Sequence, residues 1–149
     1  MAEDTKRGAG LWVLVAEDNL TNQTLLVRLI ERAGHMAVVV ANGEEAIMRL
    51  ERRGLFGDTP IEVPSFDLVL MDIQMPVLGG VEAARIIRDR ERTGAKRIPI
   101  VALTAHEIPK EHDEYLNEGL DYYLTKPIDP LKLRGIFDEV VGRKGDCKT

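Results

Sequence analysis

The chain has 149 residues, of which 44% are hydrophobic, 30% charged and 5% aromatic, proportions that fit one ordinary domain and leave no room for a second. Lys and Arg total 20 against 25 Asp and Glu, a net charge of -5, so the chain as a whole has no electrostatic pull toward nucleic acid. Its one cysteine, Cys147, excludes a disulfide-stapled module and a cysteine-based zinc site, and no apolar run approaches the ~18 residues of a membrane span.

In chain order, residues 1–10 are small, polar or charged and are expected to form a disordered tail. The start MAEDTKRGAG is too polar and acidic for a secretory signal, so a cytoplasmic location without membrane contact is expected. LWVLVA from Leu11 predicts a strand over 11–16, and the spacing of Leu25, Leu26, Leu29, Ile30 and Ala33 predicts a helix over 20–33 that Gly34 closes. MAVVV from Met36 gives a weaker strand over 36–41. Asn42 with Glu45 resembles a capping box opening a helix over 43–52. Arg53 to Ser65 has Gly, Pro and acids but no periodicity, as in a long surface loop.

FDLVLM from Phe66 predicts a strand over 66–71, followed by a helix over 80–92, and IPIVAL from Ile98 a strand over 98–103, followed by a helix over 109–118. A short strand over 122–125 precedes Asp129 and Pro130, which suit N-cap and first helical position for a helix over 129–141. Leu133, Ile136, Phe137 and Val140 give that helix its buried stripe, and residues 142–149 are expected to be a disordered tail. Strands apolar on both faces belong in buried parallel sheets. Strict alternation with helices then predicts one α/β domain over 11–141, a doubly wound parallel sheet with right-handed crossovers. A flavodoxin-like (βα)5 order, 2-1-3-4-5, is favoured.

In such sheets the ligand site lies outside the carboxyl ends of the strands. Glu17, Asp18 and Asn19 follow the first strand, Asp72 the third, Thr104 the fourth and Lys126 the fifth. Clustered carboxylates raise one another's pKa unless a cation neutralises them. An oxygen-rich pocket of this kind suits Mg²⁺, which keeps several waters and needs few protein ligands. Asp72, at the end of the central strand, is the best-placed nucleophile toward phosphorus, with Thr104 and Lys126 to help balance the charge. Taken singly, each residue has a plainer reading. Glu17 and Asp18 would cap a helix, Asp72 would form a turn, Thr104 would finish a strand, and Lys126 would be a solvated charge. Their joint placement at four strand ends argues against that.

The strings VAEDN at Val15, MDIQMP at Met71, VALTA at Val101 and YLTKP at Tyr123 resemble the receiver domain of two-component response regulators, over residues 11–141. That resemblance implies that Asp72 is the phosphoacceptor. It implies that Asp18 and Asp72 ligate Mg²⁺ directly with the Gln74 carbonyl, that Glu17 helps through water, and that Thr104 and Lys126 hold the phosphoryl oxygens. It also implies a cis peptide between Lys126 and Pro127, a switch through Thr104 and Tyr123, and a phosphoryl lifetime set partly at Gln74 and His106. Tyr123 has a plainer reading too, as a half-buried packing group. His35, His106 and His112 lack metal spacing.

EDNLTNQ, LTAH and KPID look most like receivers attached to hybrid histidine kinases. The implied donor is the phosphohistidine of a kinase's dimerisation and phosphoacceptor domain or of a histidine phosphotransfer protein, and Leu20, Pro127 and Ile128 would be its apolar contacts. The chain would catalyse its own phosphorylation in a phosphorelay rather than turn over a substrate; a free-standing response regulator is the alternative origin. Two departures stand out: Gly79-Gly80 replaces the usual Asp-Gly, and the connection before the third strand is long. Three rivals remain in view. A phosphatase of the aspartate-nucleophile class would want an acid where Gln74 stands, a flavin site would not place two acids after the first strand, and a phosphorylation-independent docking module would not need every catalytic position filled.

Overall fold

The computed structural model describes residues 10–55, 66–75, 77–91, 97–105 and 119–147. Within them lie five strands, β1 (Trp12–Ala16), β2 (Met36–Val40), β3 (Leu68–Asp72), β4 (Ile100–Thr104) and β5 (Tyr122–Thr125). Four helices join them: α1 (Leu20–Arg32), α2 (Gly43–Leu55), α3 (Gly80–Glu91) and α4 (Pro130–Cys147). All strand pairs are parallel and the order is β2-β1-β3-β4-β5, the doubly wound flavodoxin-like arrangement that the alternation predicts.

The central strands are apolar on both faces because both faces are covered. Val13, Val15, Leu68, Leu70, Val101 and Leu103 point to one side, where Leu26 and Ile30 of α1 and Leu133, Phe137 and Val140 of α4 close over them. Leu14, Ala16, Val69, Met71, Ile100 and Ala102 point to the other, under Ala46 and Ile47 of α2 and Ala83, Ala84 and Ile87 of α3. The expected stripe of α1 is narrower than its apolar residues, since Leu25 is exposed while Leu26 and Ile30 are buried. One helix face covers only about 100° of the cylinder, and Leu25 falls outside it.

Local signals set the helix ends. Asn42 Oδ1 accepts the Glu45 N–H at 2.9 Å while Glu45 Oε1 accepts the Ala41 N–H at 2.8 Å, a reciprocal cap at the start of α2. Asp129 Oδ1 accepts the Leu131 N–H at 2.9 Å. Gly34 stands at φ +92°, a left-handed turn that a side chain would oppose.

Three expectations are corrected. β3 and β4 end one residue later than their apolar runs, so Asp72 and Thr104 are the last residues of the strands, in register with Leu103 and Thr125. Backbone pairing with a neighbour carries a polar residue into a strand even where its side chain breaks the apolar pattern. The tail expected from residue 142 is helical to Cys147 as part of α4, because extending a nucleated helix adds a hydrogen bond per residue at little further cost. The helix expected over 109–118, His106, His112, the tail over 1–9 and most of the loop before β3 lie outside the described residues.

Candidate functional site

The switch point of the sheet lies between β1 and β3, where the chain turns from building outward through β2 to building the other way. Glu17 continues the ladder one step past β1, its N–H donating to Val40 O at 3.1 Å, and its side chain is fully buried. Asp18 stands exposed beside it. The capping role that either acid could have taken belongs to Asn19, whose Oδ1 accepts the Asn22 N–H at 3.0 Å.

Asp72 closes β3 only 5% exposed. Its Oδ1 accepts the Gln74 N–H at 3.1 Å and its Oδ2 accepts from Lys126 Nζ at 2.9 Å. The loop beyond folds back so that the Gly80 N–H donates to Ile73 O at 3.0 Å. A Cβ on Gly80 would lie 2.4 Å from the Asp72 carbonyl oxygen, so the second glycine of Gly79-Gly80 is a steric requirement of the loop that follows Asp72. At Gly79, the departure from Asp, the N–H donates to Glu82 Oε1 at 3.4 Å.

Lys126 follows β5, its N–H donating to Thr104 O at 2.8 Å, and its peptide bond to Pro127 is cis, as expected. The ammonium lies 3.0 Å from Glu17 Oε1 as well as 2.9 Å from Asp72 Oδ2. Burial pulls the Lys126 pKa down, but hydrogen bonds and charge from Asp72 and Glu17 outweigh it, and the net shift is upward. Burial pushes the Glu17 carboxyl up, the neighbouring Asp72 charge adds to this, and Lys126 opposes both.

Ligand oxygens of Glu17, Asp18 and Asp72 lie within 4.8 Å of one another. Three carboxylates facing one ammonium leave negative charge uncompensated. Glu17 Oε1, buried, meets Lys126 as an ion pair by distance and has no well-directed hydrogen bond. A hard dication with oxygen ligands fits this donor set. Thr104 is buried at the end of β4. Tyr123 of β5, paired with Ala102 of β4, is half-buried and packs against the core under α2 and α3. Leu20 is 75% exposed and Pro127 is exposed, whereas Ile128 is partly buried against the core under α1 and α4.

The sequence profile of the response regulator receiver domain matches residues 13–138. The chain belongs to that family. Among curated relatives, hybrid signal transduction histidine kinase I of Dictyostelium discoideum is 38% identical over 126 residues, covering 85% of this chain and 7% of the relative. The chain thus spans 7–15% of the length of the first curated relatives it matches, all of them histidine kinases or sensor proteins. Among solved structures, the receiver domain of the sensor histidine kinase PA1611 of Pseudomonas aeruginosa, crystallised with magnesium in its active-site cleft, matches with TM-score 0.72 and 33% identity over 89% of this chain and 98% of that one. The Saccharomyces cerevisiae Ssk1 receiver domain, crystallised with the phosphotransfer protein Ypd1, matches with TM-score 0.73 and 31% identity over 91% of each. No helix among the described residues is long and apolar enough to cross a membrane.

A second layer around Glu17 escapes a reading of strand ends alone. Its Oε2 accepts the Asn19 N–H at 3.2 Å and Asn22 Nδ2 at 3.4 Å, and its carbonyl oxygen accepts Gln23 Nε2 at 2.5 Å. The signal was present: Asn22 and Gln23 lie three and four residues past the Asn19 cap, on the helix face that looks back over its own N-terminus.

Proposed function

We propose that this receiver accepts a phosphoryl group on Asp72 from a phosphohistidine and changes its partner affinity as a result. The observation that carries the reading is the meeting of Glu17, Asp18, Asp72 and Lys126 at one sheet edge, with the ammonium on Asp72 Oδ2 and the acids within 4.8 Å. Asp18, Asp72 and the Gln74 carbonyl would hold Mg²⁺, with Glu17 acting through water; magnesium bound there supplies charge neutralisation and orientation for phosphoryl oxygens. The magnesium in the PA1611 receiver domain supports this assignment.

Asp72 supplies the attacking oxygen, forming a new O–P bond as the P–N bond to the donor imidazole breaks, and the released nitrogen takes a proton from solvent. Lys126 gives up part of its contact with Asp72 to bind a phosphoryl oxygen, and the Thr104 hydroxyl binds another. Little covalent chemistry falls to the protein, so the chain is modified on itself and does not turn over a substrate. Thr104 and Tyr123 form the switch: a phosphoryl group that draws the threonine inward frees space for the half-buried ring.

The donor is the phosphoacceptor domain of a histidine kinase or a histidine phosphotransfer protein, docking over Leu20 and Pro127 with Ile128 beneath. The Ypd1 complex of a similar receiver supports a histidine phosphotransfer partner, and the curated hybrid-kinase relatives support an origin in a hybrid histidine kinase. The test is intact mass after incubation with Mg²⁺ and acetyl phosphate. The wild-type chain is expected to gain one phosphoryl mass only with magnesium, and Asp72→Asn none. No gain in either protein refutes the reading and leaves a phosphorylation-independent docking module.

A further inference from the structure

The first turn of α1 does more than start a helix. Glu17 is fully buried, and a glutamate has enough rotatable bonds to present its oxygens in several ways. Two donors hold Oε2: the Asn19 N–H at 3.2 Å and Asn22 Nδ2 at 3.4 Å. Oε1 is thereby left to face Lys126 at 3.0 Å within the acid cluster. The donors are themselves fixed. Asn19 Oδ1 accepts the Asn22 N–H at 3.0 Å, and the Gln23 N–H donates to Asn19 O at 2.9 Å while its side-chain amide holds the Glu17 carbonyl oxygen at 2.5 Å. Asn22 and Gln23 are half-buried, whereas Thr21 and Thr24 on the same turn are exposed.

We infer that Asn22, with Gln23 behind it, is a positioning residue that orients the buried Glu17 carboxylate toward the cation site, so that the motif Glu17-Asp18-Asn19 followed by Asn22-Gln23 is one device. The inference rests on the magnesium site proposed above. Without the Asn22 amide, Oε2 keeps a single donor, and the carboxylate can turn both oxygens to Lys126 and away from the cation. Partners of this kind typically contribute ~10–100-fold to metal affinity, and an acid acting through water belongs at the lower end.

Calorimetric titration of the full chain with MgCl₂, without phosphodonor, tests this. Asn22→Ala and Asn22→Leu, the latter keeping bulk but no donor, are expected to weaken magnesium binding about tenfold while the thermal midpoint of the metal-free protein falls no further than in Thr24→Ala. In a Glu17→Gln background the further change Asn22→Ala is expected to leave affinity within about twofold, because a residue acting only through Glu17 has nothing left to act on. Unchanged affinity in both Asn22 variants overturns the inference. So does an equal tenfold loss in the Glu17→Gln background, or unfolding of both metal-free variants, which would make Asn22 a support of the fold. Absence of magnesium binding by the wild-type chain would instead sink the magnesium reading, and the inference with it.

Discussion

Replacing Lys126 by Met keeps the length of the side chain and removes the cation between two buried acids. Glu17 is fully buried and Asp72 is 5% exposed, and the ammonium lies 3.0 and 2.9 Å from them. Removing one partner of a buried pair costs about 3–5 kcal/mol, because the remaining charge is left without compensation. The Lys126 side chain is 22% exposed, so water reaches the rim, and the lower end, about 3 kcal/mol, is expected. At about 2–4 °C per kcal/mol for a chain of this size, the metal-free variant should melt roughly 10 °C lower. The loss should depend on pH. Burial already raises the Glu17 pKa, and Lys126 is one of the groups opposing the rise, so without it the folded-state value climbs further. A carboxyl raised in the folded state destabilises the fold above its folded pKa, and the penalty is relieved as pH falls through that value toward the ordinary carboxyl value of 4.5. Urea unfolding with chelator near pH 8 and near pH 5.5 should therefore show a larger deficit at the higher pH, and added magnesium should recover part of it. A deficit under about 1 kcal/mol, or one equal at both pH values, would refute the claim that Lys126 holds these acids together.

Gly80→Ala would press a Cβ against the Asp72 carbonyl, 2.4 Å away in the present backbone, and is expected to cost about 3 kcal/mol or to displace the loop after Asp72; urea unfolding and phosphorylation yield measured together check it. Arg88 donates to Gly119 O at 2.9 Å, Glu91 at 2.8 Å and Asp121 at 2.6 Å with its side chain 13% exposed, joining the end of α3 to the chain entering β5. Arg88→Met should lower stability by about 2–3 kcal/mol, read by urea unfolding, while magnesium affinity at the opposite end of the sheet stays unchanged. His35 Nδ1 accepts the Leu11 N–H at 3.0 Å and its ring meets Phe137 edge-on at 4.7 Å. Burial lowers its pKa, Asp138 and Asp67 partly oppose this, and Arg134 adds to it. The fold thus prefers the neutral ring, so stability present above the ordinary imidazole value of 6.5 is lost as pH falls from there to the lower folded value. Thermal midpoints in that window should depend less on pH in His35→Gln than in wild type.

The parallel βα order and the strand ends at which the acids and the lysine meet were legible in the sequence. Runs such as LWVLVA and FDLVLM are apolar at successive positions, which only a strand covered on both faces can bury. Glu17, Asp18, Asp72, Thr104 and Lys126 were legible because each follows or ends such a run, and parallel topology sends all those ends to one edge. Caps at Asn42 and Asp129 were equally legible, since their partners are two to four residues away. Tertiary structure alone decided what depends on distant neighbours. Leu25 matches Leu26 in composition, but only the sheet's position decides which one is covered. Asp72 and Thr104 belong to their strands because Leu103 and Thr125 pair with them from across the sheet. The 31- and 33-residue separations between Arg88 and its partners Gly119 and Asp121 leave no periodic trace. The orientation of Glu17 likewise required a folded strand end and a folded helix turn at once, because hydrogen-bond direction is set by where side chains meet in space, and sequence spacing records only neighbours along the chain.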